Sequence, residues 1–184
     1  MKLDFEGNEL NNLKGLLKFP GNKMKFLGYV LNLDSAEIVD LINNSSAIEE
    51  TTLKIIQPLL SHYSNAQPVE ILKELVKFVG LPGGHAYEKA FLQRVVIPIT
   101  EIFGNSPEKI IDRSMIMGGF SLPYGDCSVQ IPAFPRIPLT VVIWKSGEFP
   151  ASANLFYDKS ACNYLPTEDL AVLAELMVTR LIRA

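Results

Sequence analysis

At 184 residues the chain suits one domain, or one domain with a small N-terminal lobe, and a chain of this size buries roughly 70% of its unfolded surface. Hydrophobic residues make up 48% and the formal net charge is −3, so no electrostatic feature recommends nucleic acid or an anionic membrane as partner. Two cysteines and two histidines are too few for a four-thiolate zinc or iron–sulfur cage, so no cofactor is evident and no metal site is expected.

The opening "MKLDFEGNEL" places charges where an export signal needs an apolar core. The longest apolar runs, such as "PLTVVIW", fall far short of the roughly 20 residues that cross a bilayer. The expectation is a cytoplasmic protein with Cys127 and Cys162 as free thiols. "NELNNLKGLLKF" reads as a short helix closed by the "FPGN" turn. "MKFLGYVLNL" reads as a strand, with Tyr29, Leu31 and Leu33 alternating against Val30 and Asn32 and with Gly28 at a bend or bulge. Polar clusters predict loops near 43–50 and 61–68. Between them "TTLKIIQPLLSHY" contains Pro58, which a helix interior tolerates badly. The prediction is a strand over Thr51–Ile56, then a short helix with Pro58 in its first turn.

The middle of the chain is helical in pattern. After Gly83-Gly84, the residues Tyr87, Ala90, Phe91 and Val95 fall on one helix face; Pro98 kinks or restarts the helix, and Gly104 with Asn105 ends it. In "SPEKIIDRSMIM" Ser106 suits an N-cap and Pro107 the first helical position. From Phe120 onward "CSVQIPAF", "IPLTVVIW" and "ASANLFY" read as short strands, antiparallel because their connections are short. "TEDLAVLAELMVTRLIR" is an amphipathic helix with Thr167 as cap, Glu168 and Asp169 at its positive end, Arg180 and Arg183 at its negative end, and a buried stripe of Leu170, Leu173, Ala174, Met177 and Leu181. The whole reads as a single α+β domain over 1–184, with a small N-terminal lobe over 1–66 as a variant of that reading. Helices pack on one face of a mainly antiparallel sheet, with late strands over 120–157 and a C-terminal helix over 167–183.

The stretches "LPGGHAYEKAF", "PITEIFGNSPEKII", "YGDCSVQIPAFPRIPLTVVIW", "FPASANLFYDKSACNYLPTEDLAVL" and "RLIR" follow one another in an order that resembles the domain of unknown function three-seven-eight-six, a family found mostly in strictly anaerobic prokaryotes. The resemblance covers Val76 to the C-terminus, with a looser match at "FLGYVLNL". It implies an accessory role in anaerobic metabolism, since some members resemble modules fused to, or encoded near, four-cysteine iron–sulfur domains and corrinoid or methyl-transfer systems; this chain has no such cysteine module. The family often shows an acidic pair before "EFPA". Here Gly147 precedes Glu148, which implies weaker binding of whatever that pair holds.

Polar and glycine-rich residues concentrate in two segments. At Gly83, Gly84 and His85 a helix begins, and its free N–H groups suit an anion, although the P-loop lysine and the spaced glycines of a dinucleotide fold are missing. A Pro-Gly-Gly corner also serves without any ligand. His85 and Glu88 share a helix face, with Tyr87 beside them. Asp126 in "YGDC" and Arg136 in "FPRIP" flank the first late strand, as a ligand clamp or as a salt bridge pinning loops. Three readings follow: a module binding a small molecule or a protein partner through these residues; an enzyme of small polar substrates with His85 as acid–base group, Asp126 as orienter and Arg136 as anion clamp; or a structural subunit, with a homo-oligomer open in each case.

Overall fold

In the second half of the chain Ile137–Ile143 are buried throughout and most of Cys127–Phe134 with them, so the central strands of the sheet are covered on both faces. A computed structural model of the protein describes residues 1–43 and 48–184. Its larger sheet has five antiparallel strands in the order β4-β8-β7-β6-β5, where β4 is Leu75–Lys77, β5 Phe120–Leu122, β6 Cys127–Phe134, β7 Ile137–Trp144 and β8 Ser152–Asp158. Register places Val129, Val141 and Leu155 in one row and Ile131, Leu139 and Tyr157 around the next, all at or near zero exposure. Helices α4 (Ile97–Phe103), α5 (Lys109–Ile116) and α6 (Thr167–Arg183) cover this face. Tyr157 is buried among them, and its hydroxyl donates to the Leu170 carbonyl at 2.9 Å. The fold is α+β, with the C-terminal helix following the late strands as the sequence predicts.

The opposite face carries Gln130, Thr140 and Phe156 in one row and Trp144 with Ser152 at its end. At the Trp144 end this face is shielded by the turn between β5 and β6. A Cβ on Gly125 would lie 2.8 Å from Val142 and 3.4 Å from the Trp144 ring. Gly125 also has φ +58°, so this close, left-handed passage suits glycine.

A smaller antiparallel sheet, β1 (Lys23–Phe26), β2 (Tyr29–Asn32) and β3 (Ile38–Asp40), forms from the N-terminal third. Tyr29, Leu31 and Leu33 are buried as the alternation predicts, and Gly28 lies at φ +79° in the two-residue turn between β1 and β2. This sheet shares its core with the larger one. The Phe26 ring sits edge-on to Phe134 at 5.4 Å, and Phe134 in turn lies 4.7 Å from Tyr63.

Three local expectations are corrected. The strand over Thr51–Ile56 is instead part of helix α2 (Glu50–Ser64), which carries Pro58 in its interior and takes up the start of the loop expected over 61–68. Ile56, Leu59, Leu60 and Tyr63 are buried at helical spacing while Pro58 is exposed, so the apolar face outweighs one missing hydrogen bond on the solvent side. Ser106 makes no side-chain cap; its carbonyl accepts from Lys109 N–H at 3.2 Å in a tight turn that leads into α5. Thr167 does not cap α6 either, because its hydroxyl donates to the Pro82 carbonyl at 2.7 Å. Asp158, by contrast, caps the 3-10 turn Lys159–Asn163 by accepting from Ser160 N–H. Residues 44–47 of the loop expected near 43–50 lie outside the described residues. No helix among the described residues is long and apolar enough to cross a membrane.

Candidate functional site

The Pro-Gly-Gly corner is packed against the chain itself. Gly83 adopts φ +76° at the start of α3 (Gly84–Phe91). A Cβ on Gly84 would lie 2.1 Å from the Phe78 carbonyl oxygen, so the preceding 3-10 turn, Phe78–Gly80, occupies the space behind the helix end. Glycine is required there for close backbone approach. Phe78 stacks on Phe91 at 4.1 Å, and the Thr167 hydroxyl holds Pro82, so the corner ties three segments together. His85 and Tyr87 are both exposed but on different sides of this helix: Tyr87 borders a recess with Arg94 and Glu168, and Glu88 borders a separate shallow crevice with Lys77 and Asn154.

Arg136 and Asp126 part company. The Arg136 guanidinium donates from Nε to the Leu16 carbonyl at 3.0 Å, and its backbone N–H donates to the Tyr63 hydroxyl at 3.2 Å. It therefore pins the N-terminal segment to the turn between β6 and β7. Asp126 stands at the opposite end of the eight-residue strand β6, ten residues before Arg136 and about 25 Å away at the usual rise per strand residue. No single small ligand spans both.

Asp126 does border a cleft. The Ser128 hydroxyl shapes the turn before it, donating to the Leu122 carbonyl at 2.7 Å and accepting from Tyr124 N–H at 3.0 Å. Asp126 N–H then donates to Ile143 O at 3.0 Å while its Oδ2 accepts Lys145 N–H at 2.7 Å, which fixes the carboxylate against the end of β7. Across from it runs the connection from β7 to β8, turned tightly by Gly147 N–H donating to Phe149 O at 3.0 Å and tied to the end of α4 by Ser146 N–H donating to Gly104 O at 3.4 Å. The space between is an open cleft of about 530 Å³, bordered by Asp126, Trp144, Lys145, Glu148, Phe149 and Asn154. Trp144 is 39% exposed and Phe149 78%. Among the described residues Glu148 forms no ion pair and the Asp126 Oδ1 accepts no hydrogen bond.

Other polar features are matched internally. A recess beside Tyr29 and Arg183 contains the Arg180–Asp40 pair, but Arg180 spends its donors on both Asp40 oxygens, at 2.7 and 2.5 Å, and on Leu27 O at 3.0 Å. Its guanidinium also lies over the Tyr29 ring, 4.0 Å from the centroid. Burial pushes the Cys127 and Cys162 thiols up, with Glu108 adding to the effect at Cys127, so neither is poised as a thiolate. No group of three or more His, Cys, Asp or Glu side chains among the described residues is placed to hold a metal ion.

The family model described as "Domain of unknown function (DUF3786)" matches residues 14–180. The chain belongs to the DUF3786 family. The match reaches further toward the N-terminus than the motif resemblance from Val76 onward, and it takes in the three-stranded sheet as well as the five-stranded one. The DUF3786 domain is thus built on both sheets, in agreement with their shared core. Comparison with curated proteins and with solved structures gives no match.

Of the cleft residues, motif reading reaches Asp126 and notes Glu148 at the family's acidic position. It misses Trp144 and Asn154. The available signal is Trp144 itself, the one tryptophan of the chain, standing after seven buried residues at the end of a strand. Also missed is His62, whose Nδ1 lies 2.6 Å from Asp169 Oδ2 and links α2 to the first turn of α6 across 107 residues of sequence.

Proposed function

We propose that this domain is a binding module whose cleft between Asp126 and the connection from β7 to β8 takes a small organic monocation. The role is accessory rather than catalytic, within the cytoplasm and the anaerobic metabolism that the family resemblance implies. The observation that supports this reading is the lining: two carboxylates, Asp126 and Glu148, share one cleft with two exposed aromatic side chains, Trp144 and Phe149. Aromatic faces attract cations by about 0.5–1 kcal/mol each at exposed sites, and a carboxylate strengthens the hydrogen bonds of an ammonium donor. Lys145 on the same rim offsets one carboxylate, so a monocation matches the cleft better than a polyamine. An enzyme using His85, Asp126 and Arg136 together needs one reacting group within reach of all three, and the separation of Asp126 from Arg136 weighs against it.

Because Trp144 is the sole tryptophan, its fluorescence reports directly on the cleft. Titration with choline and with 2-phenylethylamine is expected to give a saturable change with a Kd near or below about 1 mM, equivalent to about 4 kcal/mol. Glu148→Gln and Asp126→Asn are each expected to weaken it about fivefold, consistent with loss of roughly 1 kcal/mol of charge-assisted contact. No saturable change up to about 10 mM, or saturation by acetate in place of the amines, overturns the proposal.

A further inference from the structure

A second surface lies at the outer edge of the small sheet. Strand β3 has its outer edge closed by the N-terminal segment, through Ile38 N–H donating to Met1 O at 2.8 Å and Leu3 N–H donating to Ala36 O at 2.9 Å. Strand β1 has no hydrogen-bonded neighbour at its outer edge among the described residues, although β6 packs close to it. Leu33 N–H donates to Asn22 O at 2.8 Å, so Asn22–Leu33 is a hydrogen-bonded pair and the polar groups of Met24 and Phe26 face β2 two and four residues on. The N–H and C=O of Lys23 and Lys25 therefore face outward, and among the described residues they have no hydrogen-bond partner. Met24 and Phe26 are locked in the core at 0% and 1% exposure, which holds the strand rigidly in pairing geometry.

Beside this edge runs a groove of about 530 Å³. Its apolar lining includes Phe19, which is 82% exposed, with Pro20, Pro132 and Pro135. Its charged lining is Lys18, Lys23 and Lys25, none of them in an ion pair among the described residues, and no acidic residue borders it. The neighbouring Asp34 carboxylate is already held by Lys14 at 2.6 Å and Asn22 at 2.8 Å. Pro132 and Pro135 lack backbone donors, so on that wall of the groove an incoming chain finds no N–H from either residue, whereas β1 offers both N–H and C=O.

We infer that this edge and groove dock an extended, acidic segment of a partner protein, added as a strand alongside β1. Charge decides the occupant. Pairing with the same edge of a second copy would set Lys23 and Lys25 against their own kind, which directly opposed like charges disfavour. A segment with acidic residues alternating with apolar ones satisfies the lysines on one side, fills the groove over Phe19 on the other, and gives main-chain hydrogen bonds to Lys23 and Lys25.

The test uses the full chain and a fluorescein-labelled peptide of alternating glutamate and valine, with a lysine–valine peptide and phosphatidylserine vesicles as comparisons. The expected result is saturable anisotropy with the acidic peptide alone, weakening at least about tenfold between roughly 50 and 500 mM salt. Slowed amide hydrogen exchange at Lys23 and Lys25 is expected on binding. The triple variant K18E/K23E/K25E changes only exposed side chains and is expected to abolish binding with its thermal midpoint nearly unchanged. Lys25→Pro is compared with Lys25→Ala, which loses the same charge: proline also removes an outward N–H while leaving the β2 ladder intact, and is expected to bind more weakly than the alanine variant with the same salt dependence. Absence of peptide binding, equal binding by the charge-reversed variant, unchanged exchange at Lys23 and Lys25, binding of vesicles in place of the peptide, or self-association through this edge in sedimentation overturns the inference.

Discussion

Arg180 has the address of a surface cation, in the last turns of a helix where positive charge complements the dipole. The fold instead buries it at 2% exposure against Asp40, 140 residues earlier, with Tyr29 under the guanidinium. Burial pushes the Asp40 carboxyl up, but the hydrogen bonds and charge of Arg180, with Ile42 and Asn43 N–H groups, outweigh it and hold the carboxyl below the usual carboxylate range. A depressed folded-state value stabilises the fold above the unfolded value and is lost as pH falls through the folded one, so this contribution fades below about pH 4. Arg180→Ala leaves a buried carboxylate without its partner and is expected to cost about 3–5 kcal/mol at neutral pH, read from the urea midpoint. Asp40→Asn is expected to destabilise at pH 7 yet flatten the acid limb of the stability profile; an acid limb identical to the parent's would show that other carboxylates govern it. Helical spacing sets Arg180 on the buried stripe, three residues after Met177 and seven after Leu173, and Arg183 off it, but the pairing itself is invisible in the sequence because only the tertiary course of β3 supplies the partner.

At the scale of elements, local chemistry decides some boundaries and packing decides others. The amphipathic stripe of α6 and the alternation in β2 are strong enough to be read directly, since each buries its whole apolar face. Helix α2 is the counterexample: Pro58 is a genuine helix breaker in isolation, and it survives because it faces solvent while Ile56, Leu59, Leu60 and Tyr63 anchor the other side. Pro58→Ala restores a backbone donor for the exposed Lys54 carbonyl and disturbs no core contact. It is expected to stabilise by about 2 kcal/mol, a rise of about 4–8 °C in thermal midpoint. The Pro-Gly-Gly corner separates two roles that look alike in sequence. Gly83→Ala meets open space but keeps a left-handed φ, for an expected cost of about 1–2 kcal/mol. Gly84→Ala has an ordinary φ but drives a methyl group into the Phe78 carbonyl, for an expected cost of about 3 kcal/mol through displacement of α3. Thermal midpoints that rank Gly83→Ala as the more damaging would contradict the close packing of this corner.

The whole molecule binds its two sheets together through contacts of high sequence separation. Arg136 holds the Leu16 carbonyl, Arg180 holds Asp40 and Leu27, and the rings of Phe26, Phe134, Tyr63 and Tyr164 run continuously from the small sheet into the large one. A buried core spans Leu3 to Leu181 without a break in packing. This is why the N-terminal third is only half legible in the sequence: its strands and turns are local patterns, whereas its packing on the larger sheet rests on pairs more than seventy residues apart. The cleft is half legible for the same reason, since Asp126 and Glu148 announce themselves as polar residues in turns but their meeting depends on the register of β6, β7 and β8. Cooperative unfolding of both sheets follows from the shared core, and the single tryptophan allows a clean check. Trp144 lies at the end of β7 in the five-stranded sheet, while Leu31 is fully buried in the small one. Leu31→Ala is expected to destabilise by about 2–5 kcal/mol. If the sheets unfold as one, the Trp144 fluorescence midpoint in urea falls together with the far-ultraviolet circular dichroism midpoint, and the two curves coincide. A Trp144 transition left at the parent's urea concentration, with only part of the dichroism moving, would mean that the small sheet melts by itself and that the aromatic bridge couples the two weakly.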